Sequence, residues 1–293
     1  MPFRRAIAIL NNGSGSFRPD VESELRKIVS SLGPALVRCL QPSRVEAALR
    51  EARDHADLVI VFGGDGTITL AASISGPDGP PLIALPGGTM NKLTRRLYGA
   101  HPWQVILRES LADSETITVG GGYADGHLFL VAGLFGVSSD WADAREALRK
   151  WDVVKALGLT SAGVERSMSG EVRYSCGDHV RGSAQAVAVR LAKIASGSES
   201  GMMGLQAVAL DAASLPEALR LGAEILIGRW LGDPNVRVLE TDHLTISQLG
   251  GVSTMLDGES LLLPADISVR FVPEAFRVVI PASRRRVLDR ASS

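Results

Sequence analysis

The sequence predicts an α/β domain built on a parallel, doubly wound sheet, joined to a β-sandwich-like second domain. Three observations predict it. Over the first third of the 293 residues, apolar strand-like runs alternate with segments of helical periodicity, the pattern of right-handed crossovers onto a parallel sheet. Three of those strands end in glycine-rich loops, at 11–15, 63–67 and 86–91. After about residue 113 the texture changes to short β-like runs separated by turn residues.

The elements follow in order. Ala6–Leu10 is an apolar strand that ends in Asn11-Asn12-Gly13-Ser14-Gly15. Val21, Leu25, Ile28, Val29 and Leu32 recur at near-helical spacing over 20–31. Ala35–Leu40 reads as a second strand. The segment 43–54 reads as a helix with Ser43 as its N-cap and Glu46 closing a capping box. Leu58–Phe62 is a third strand, followed by Gly63-Gly64-Asp65-Gly66-Thr67 and a helix through Ser73. Leu82–Leu85 is a fourth, followed by Pro86-Gly87-Gly88-Thr89 and a basic helix over 90–98. The predicted division is an α/β domain over 1–113, with 276–293 returning to it, and a β-rich domain over 114–275. Within the latter, 139–167 and 214–229 read as helices and 196–201 as a flexible loop. Trp141, Trp151 and Trp230 fit core positions, with a lipid-facing edge as the alternative.

Composition narrows the function. Apolar residues are 45% and charged residues 22%, values of a folded globular chain. A net charge of −1 gives no footprint for a nucleic-acid partner. Two cysteines, Cys39 and Cys176, and no CxxC argue against a disulfide scaffold and for a reducing, cytoplasmic setting. No charge-free stretch, 243–256 included, exceeds 14 residues, short of the roughly 20 that span a bilayer. The five histidines are scattered, and no metal-ligand spacing is present.

The chemistry gathers at the glycine loops. Ligands of open α/β sheets sit beyond the carboxyl ends of the strands. Glycine admits close backbone approach, and the helix N-termini that follow suit phosphate. GxxxxGK[ST] is absent, and Gly13-Ser14-Gly15 lacks the third glycine of GxGxxG. Asp65 stands out. A carboxylate among phosphate-cradling glycines repels phosphate unless it holds a cation or takes a proton from a nucleophile. The plainer alternative is a solvated turn aspartate.

Val61-Phe62-Gly63-Gly64-Asp65-Gly66-Thr67 resembles the GGDGT signature of the diacylglycerol kinase catalytic domain superfamily, which includes bacterial lipid kinases, sphingosine kinases and ceramide kinases, with NAD kinases more distant. Asn11-Asn12-Gly13-Ser14-Gly15 is similar to its NPxSG loop, Pro86-Gly87-Gly88-Thr89-Met90-Asn91 to its PxGTxN loop, Leu256-Asp257-Gly258-Glu259 to its DGE motif, and Phe276–Pro281 to its closing strand. The resemblance implies an active site in the cleft between an α/β lobe and a β-sandwich lobe. It implies ATP on the loops at Ser14, Gly15, Gly63, Gly64, Gly66, Gly87 and Gly88, with Asn11, Thr67, Thr89 and Asn91 as polar contacts. It implies Asp65 as general base on a lipid hydroxyl, and Glu259 as a second acidic residue near the phosphates and Mg²⁺.

The expected activity is ATP- and Mg²⁺-dependent phosphorylation of a membrane-lipid hydroxyl, on diacylglycerol or a ceramide or sphingoid lipid. The alternatives are an NAD kinase-like enzyme with a soluble acceptor, and a nucleotide- or lipid-binding protein impaired in catalysis. Three departures from the family pattern leave the acceptor open. Thr69-Leu70 stand where the family often has Asn-Glu, Lys92 reverses the charge of the usual GTxND, and Glu199 alone does not make a structural-metal loop. The expected partner is a lipid at the membrane surface, met from the cytoplasm, and a homodimer is compatible with the sequence. Lys92, Arg95 and Arg96 share a helix face with Leu93 and Leu97 close by, a candidate membrane contact.

Overall fold

The computed structural model describes residues 3–30, 35–136, 171–177, 180–192, 203–210 and 238–285. The helices expected over 139–167 and 214–229, the loop over 196–201, Glu199, and Trp141, Trp151 and Trp230 lie outside the described residues. The described residues form two compact units. One runs to Gly120 and resumes at Pro273, and the other takes residues between Gly121 and Val272.

The first unit is the α/β one. Its parallel strands β1 (Ala6–Asn11), β2 (Ala35–Leu40), β3 (Leu58–Gly63) and β4 (Leu82–Pro86) lie in the order β2-β1-β3-β4. β3 is buried along its whole length, as a strand covered on both faces must be. Helix α1 (Pro19–Ser30) packs with α5 (Trp103–Ala112), and α2 (Pro42–His55) packs with α3 (Asp65–Ser75). α4 (Lys92–Tyr98) lies against β4.

Two helix starts differ from the sequence reading. α2 begins at Pro42 with Gln41 as N-cap and no side-chain cap. Proline's fixed φ and missing N–H suit the first helical position, so Ser43 lies inside the helix. α5 was not expected. Its buried residues Trp103, Ile106, Leu107, Ser110 and Leu111 form one helical stripe, and Trp103 meets Phe62 edge-on with ring centroids 5.9 Å apart.

The second unit is a β-sandwich. β7 (Ala132–Phe135), β10 (Ala186–Leu191), β11 (Leu205–Leu210), β12 (Val238–Thr241), β14 (Val252–Leu256) and β15 (Glu259–Leu263) make an antiparallel sheet in the order β12-β11-β10-β7-β14-β15. Opposite it, β9 (Val180–Ala184), β8 (Val172–Cys176), β13 (His243–Ser247) and the first part of β16 (Asp266–Pro281) pair antiparallel in the order β9-β8-β13-β16. Val189, Leu205 and Val252 from one layer and Val172, Ile246 and Val269 from the other share a core. β5 (Ser114–Ala124) turns into β6 (His127–Phe129) through Asp125-Gly126, both at positive φ, the two-residue hairpin that Asp-Gly favours.

β16 belongs to both units. Beyond Pro273 it lies parallel to β4, pairing Val278 with Leu82. Tyr98 fixes this end: its buried hydroxyl donates to the Val279 carbonyl at 2.9 Å and accepts the Ala84 N–H at 3.2 Å. No helix among the described residues is long and apolar enough to cross a membrane.

Candidate active site

The three glycine loops leave the carboxyl ends of β1, β3 and β4, which are neighbours in the sheet, and they are knitted to one another. Asn11 Nδ2 donates to Thr67 Oγ1 at 2.9 Å, joining the first loop to the second. Asn11 Oδ1 also accepts the Gly13 N–H at 3.0 Å, which holds the turn closed. Ser16 joins the first loop to the third: its N–H donates to the Gly87 carbonyl at 2.8 Å and its hydroxyl to the Gly88 carbonyl at 3.1 Å. The Gly87 N–H donates to the Gly63 carbonyl at 2.8 Å, joining the third loop to the second.

The glycines allow this packing. A β-carbon on Gly63 would stand 2.5 Å from Thr67 Cβ, and one on Gly87 would stand 2.7 Å from Phe62 Cε1. Both lie well inside van der Waals contact. Gly63 therefore lets the second loop close on its own Thr67, and Gly87 lets the third loop pack on the end of β3, whatever ligand they also meet.

Asp65 is the first residue of α3, with Gly64 as N-cap and Gly66 and Thr67 following in the same turn. The plainer reading from sequence is a solvated turn aspartate. Instead its Oδ1 accepts the Leu93 N–H at 3.3 Å, so the carboxylate ties α3 to α4. Asn91 is buried and left-handed, at φ 51°, as the N-cap of α4. Its side chain closes the third loop on itself: Oδ1 accepts the Gly88 N–H at 2.8 Å and Nδ2 donates to the Gly88 carbonyl at 2.6 Å. Thr89 is exposed at the tip of that loop, and a β-carbon on Gly15 would stand 3.2 Å from its Oγ1. The Ser14 hydroxyl is buried without a hydrogen-bond partner among the described residues, a group that a bound acceptor atom would satisfy.

The structure therefore brings Asn11, Ser14, Gly15, Gly63, Gly64, Asp65, Gly66, Thr67, Gly87, Gly88, Thr89 and Asn91 to one end of the first unit's sheet. Glu259 is in the second unit, exposed at the start of β15. It directly follows Asp257-Gly258, both at positive φ, a two-residue hairpin turn. Asp257 has a function the sequence reading did not assign. Its Oδ2 accepts the Leu130 N–H at 2.7 Å, and its Oδ1 accepts those of Val131 and Ala132 at 2.9 and 3.0 Å. The carboxylate fills a nest of three successive amides and clamps the Glu259 hairpin to the segment before β7.

The sequence profile of the diacylglycerol kinase catalytic domain matches residues 5–122. That stretch contains all three glycine loops, so the superfamily read from the motifs is borne out there. No curated protein matches the chain in sequence. Among solved structures, a "putative diacylglycerol kinase" from Bacillus anthracis str. Sterne superposes with a TM-score of 0.72 at 18% identity, covering 97% of this chain and 99% of the other. A diacylglycerol kinase from the same organism gives 0.68 at 16% identity over the same shares. An NAD kinase from Archaeoglobus fulgidus, in complex with ATP, gives 0.53 at 14% identity, covering 98% of each chain. At these identities the likeness is one of fold, and it bears out an α/β domain with a second β domain.

One sequence expectation fails within the matched stretch. Leu93 and Leu97, expected near a membrane-facing stripe of α4, are 2% and 0% exposed. The 7-residue helix spends its apolar side on the core, so it offers a bilayer no apolar surface.

Proposed function

We propose that the protein is an ATP-dependent lipid kinase that transfers the γ-phosphoryl group to a hydroxyl of a membrane lipid of the diacylglycerol or ceramide and sphingoid type. The observation that carries this reading is Asp65, a carboxylate fixed by the α4 backbone among three interlocked glycine loops. The donors suit a polyphosphate: Thr67 and Thr89 hydroxyls, the orphaned Ser14 hydroxyl, and backbone amides at the loop tips. Among the described residues no group of three His, Cys, Asp or Glu side chains can hold a metal. The single carboxylate of Asp65 beside the loops fits Mg²⁺, which is commonly held by one or two carboxylates together with substrate phosphates. Mg²⁺ would neutralise charge on the transferring phosphoryl group. Asp65 accepts the proton of the lipid hydroxyl as its oxygen bonds to the γ-phosphorus, while the bridging P–O bond breaks and ADP departs. Glu259 is the second acidic residue of this proposal. Peripheral contact with a membrane, from the cytoplasm, completes the reading.

The test is an acceptor panel with γ-labelled ATP and Mg²⁺, comprising diacylglycerol, ceramide, sphingosine and NAD. Label in one of the lipids, lost in Asp65→Asn, is the expected result. Label in NAD alone would move the assignment to the soluble-acceptor kinase, a reading favoured by the fold shared with the ATP-bound Archaeoglobus enzyme. Binding of ATP with no label in any acceptor would leave a binding protein.

A further inference from the structure

We propose that the turn carrying Leu249, together with Leu262, is the surface by which the protein meets a lipid bilayer, through apolar contact and not through charge. The proposal rests on the reading of the acceptor as a membrane lipid. Leu249 is 100% exposed in the turn between β13 and β14, and Leu262 is 72% exposed on β15. They are the two most exposed large apolar side chains among the described residues. They belong to one end of the second unit. Leu262 pairs with Ser253, and a β-carbon on Gly251 would stand 3.1 Å from its Cδ1.

Three features suit this end to a bilayer. Residues 243–256 and 260–265 carry no formal charge, so insertion of the turn strips water from no ion. The turn's amides are largely satisfied within it. The N–H groups of Gln248, Gly251 and Val252 donate to the carbonyls of Ala265, Gln248 and Pro264, and that of Ser253 donates to Gln248 Oε1. Unpaired amides are what hydrocarbon penalises most. Gly250 and Gly251 hold positive φ of 82° and 111°, which sets Leu249 at the apex without strain.

A second protein surface fits less well. Two leucine side chains offer on the order of 200 Å², against about 800 Å² per partner in a stable interface. A bilayer needs no complementary surface. The basic helix α4 does not compete for the apolar contact, because Leu93 and Leu97 are buried.

The experiment is sedimentation of the full chain with phosphatidylcholine vesicles at low and high salt. It compares wild type, the Leu249→Ser/Leu262→Ser variant, and Leu36→Ser as a control at an exposed leucine of the first unit. Wild type and the control should bind equally at both salt concentrations, and the double variant at least ~10-fold more weakly. Equal binding by the double variant, loss of wild-type binding at high salt, or no wild-type binding would each overturn the proposal. Sedimentation of the proteins alone covers the other occupant: a dimer that the double variant splits assigns the patch to a second copy of the chain and also overturns it. Phosphorylation of detergent-dispersed acceptors separates the two readings. Activity there without vesicle binding removes the docking surface alone, and vesicle binding without activity on any acceptor removes the kinase reading alone.

Discussion

Gly64 and Gly88 meet backbone to backbone: a β-carbon on Gly88 would stand 2.6 Å from the Cα of Gly64. The reverse substitution is easier, since a β-carbon on Gly64 would stand 3.4 Å from the Cα of Gly88, an ordinary contact. Gly88→Ala should therefore force the second and third loops apart, at about 1–3 kcal/mol. Gly64→Ala should stay within roughly 1 kcal/mol of wild type, with part of any loss returned by a stiffer unfolded chain. Urea melts of the two variants check this. Equal losses would mean that the asymmetry of the contact is not felt.

Asp65→Asn keeps an oxygen for the Leu93 N–H and removes the charge. The melting temperature should change little, and kcat should fall by at least about 100-fold, the lower end for a general base. Steady-state kinetics beside a thermal melt separate the two effects. Near-native turnover would end the general-base assignment.

Asp257→Ala would strip the acceptor from three amides at once. Unsatisfied buried donors cost about 1–3 kcal/mol each, less where water reaches them. A total loss of roughly 2–5 kcal/mol is expected, with the Leu130, Val131 and Ala132 amides exchanging faster in hydrogen-exchange measurements. Unchanged protection of those three amides would show that the clamp is not what holds the segment.

Tyr98 links the third loop's strand to the chain's last strand, and burial pushes its phenol pKa far above the usual value of about 10. The folded state thus prefers the neutral phenol. Its contribution is fully present below pH ~10 and declines as the pH rises above that value, where the unfolded phenol ionises and the folded one does not. Tyr98→Phe should cost about 1–3 kcal/mol at neutral pH. It should also flatten the alkaline loss of stability in denaturant titrations, since phenylalanine has nothing to ionise.

The α/β unit was legible because its signals are local. Val21, Leu25, Ile28 and Val29 are the buried face of α1, and their spacing alone announces it. α5 carries an equally clear stripe, but its Asp113 C-cap falls where the sequence texture reads as a boundary between domains. The helix start at Pro42 illustrates a competition that pattern does not settle, between proline's preference for N1 and serine's for the cap.

The motifs announced which residues gather, and not what they do for one another. Asn11 and Thr67 are 56 positions apart, and Ser16 and Gly88 are 72 apart. Such pairs have no local signature, so the glycines read as ligand contacts when they are also the seams between loops. Asp257 is intermediate. Asp-Gly announces the turn, but the amides its carboxylate receives lie 125 to 127 residues away.

The double membership of β16 has a consequence for synthesis. When the ribosome has made β1 to β4, the edge of β4 that will receive Val278 has no partner yet. The intervening residues, 121 to 272, take roughly 8–30 s to translate at about 5–20 residues per second. Throughout that time the nascent sheet shows an open, apolar edge, so a sheet begun at β1 to β4 is finished only when β16 arrives. A premature stop codon before Val278 would strike the glycine-loop sheet, made long before it.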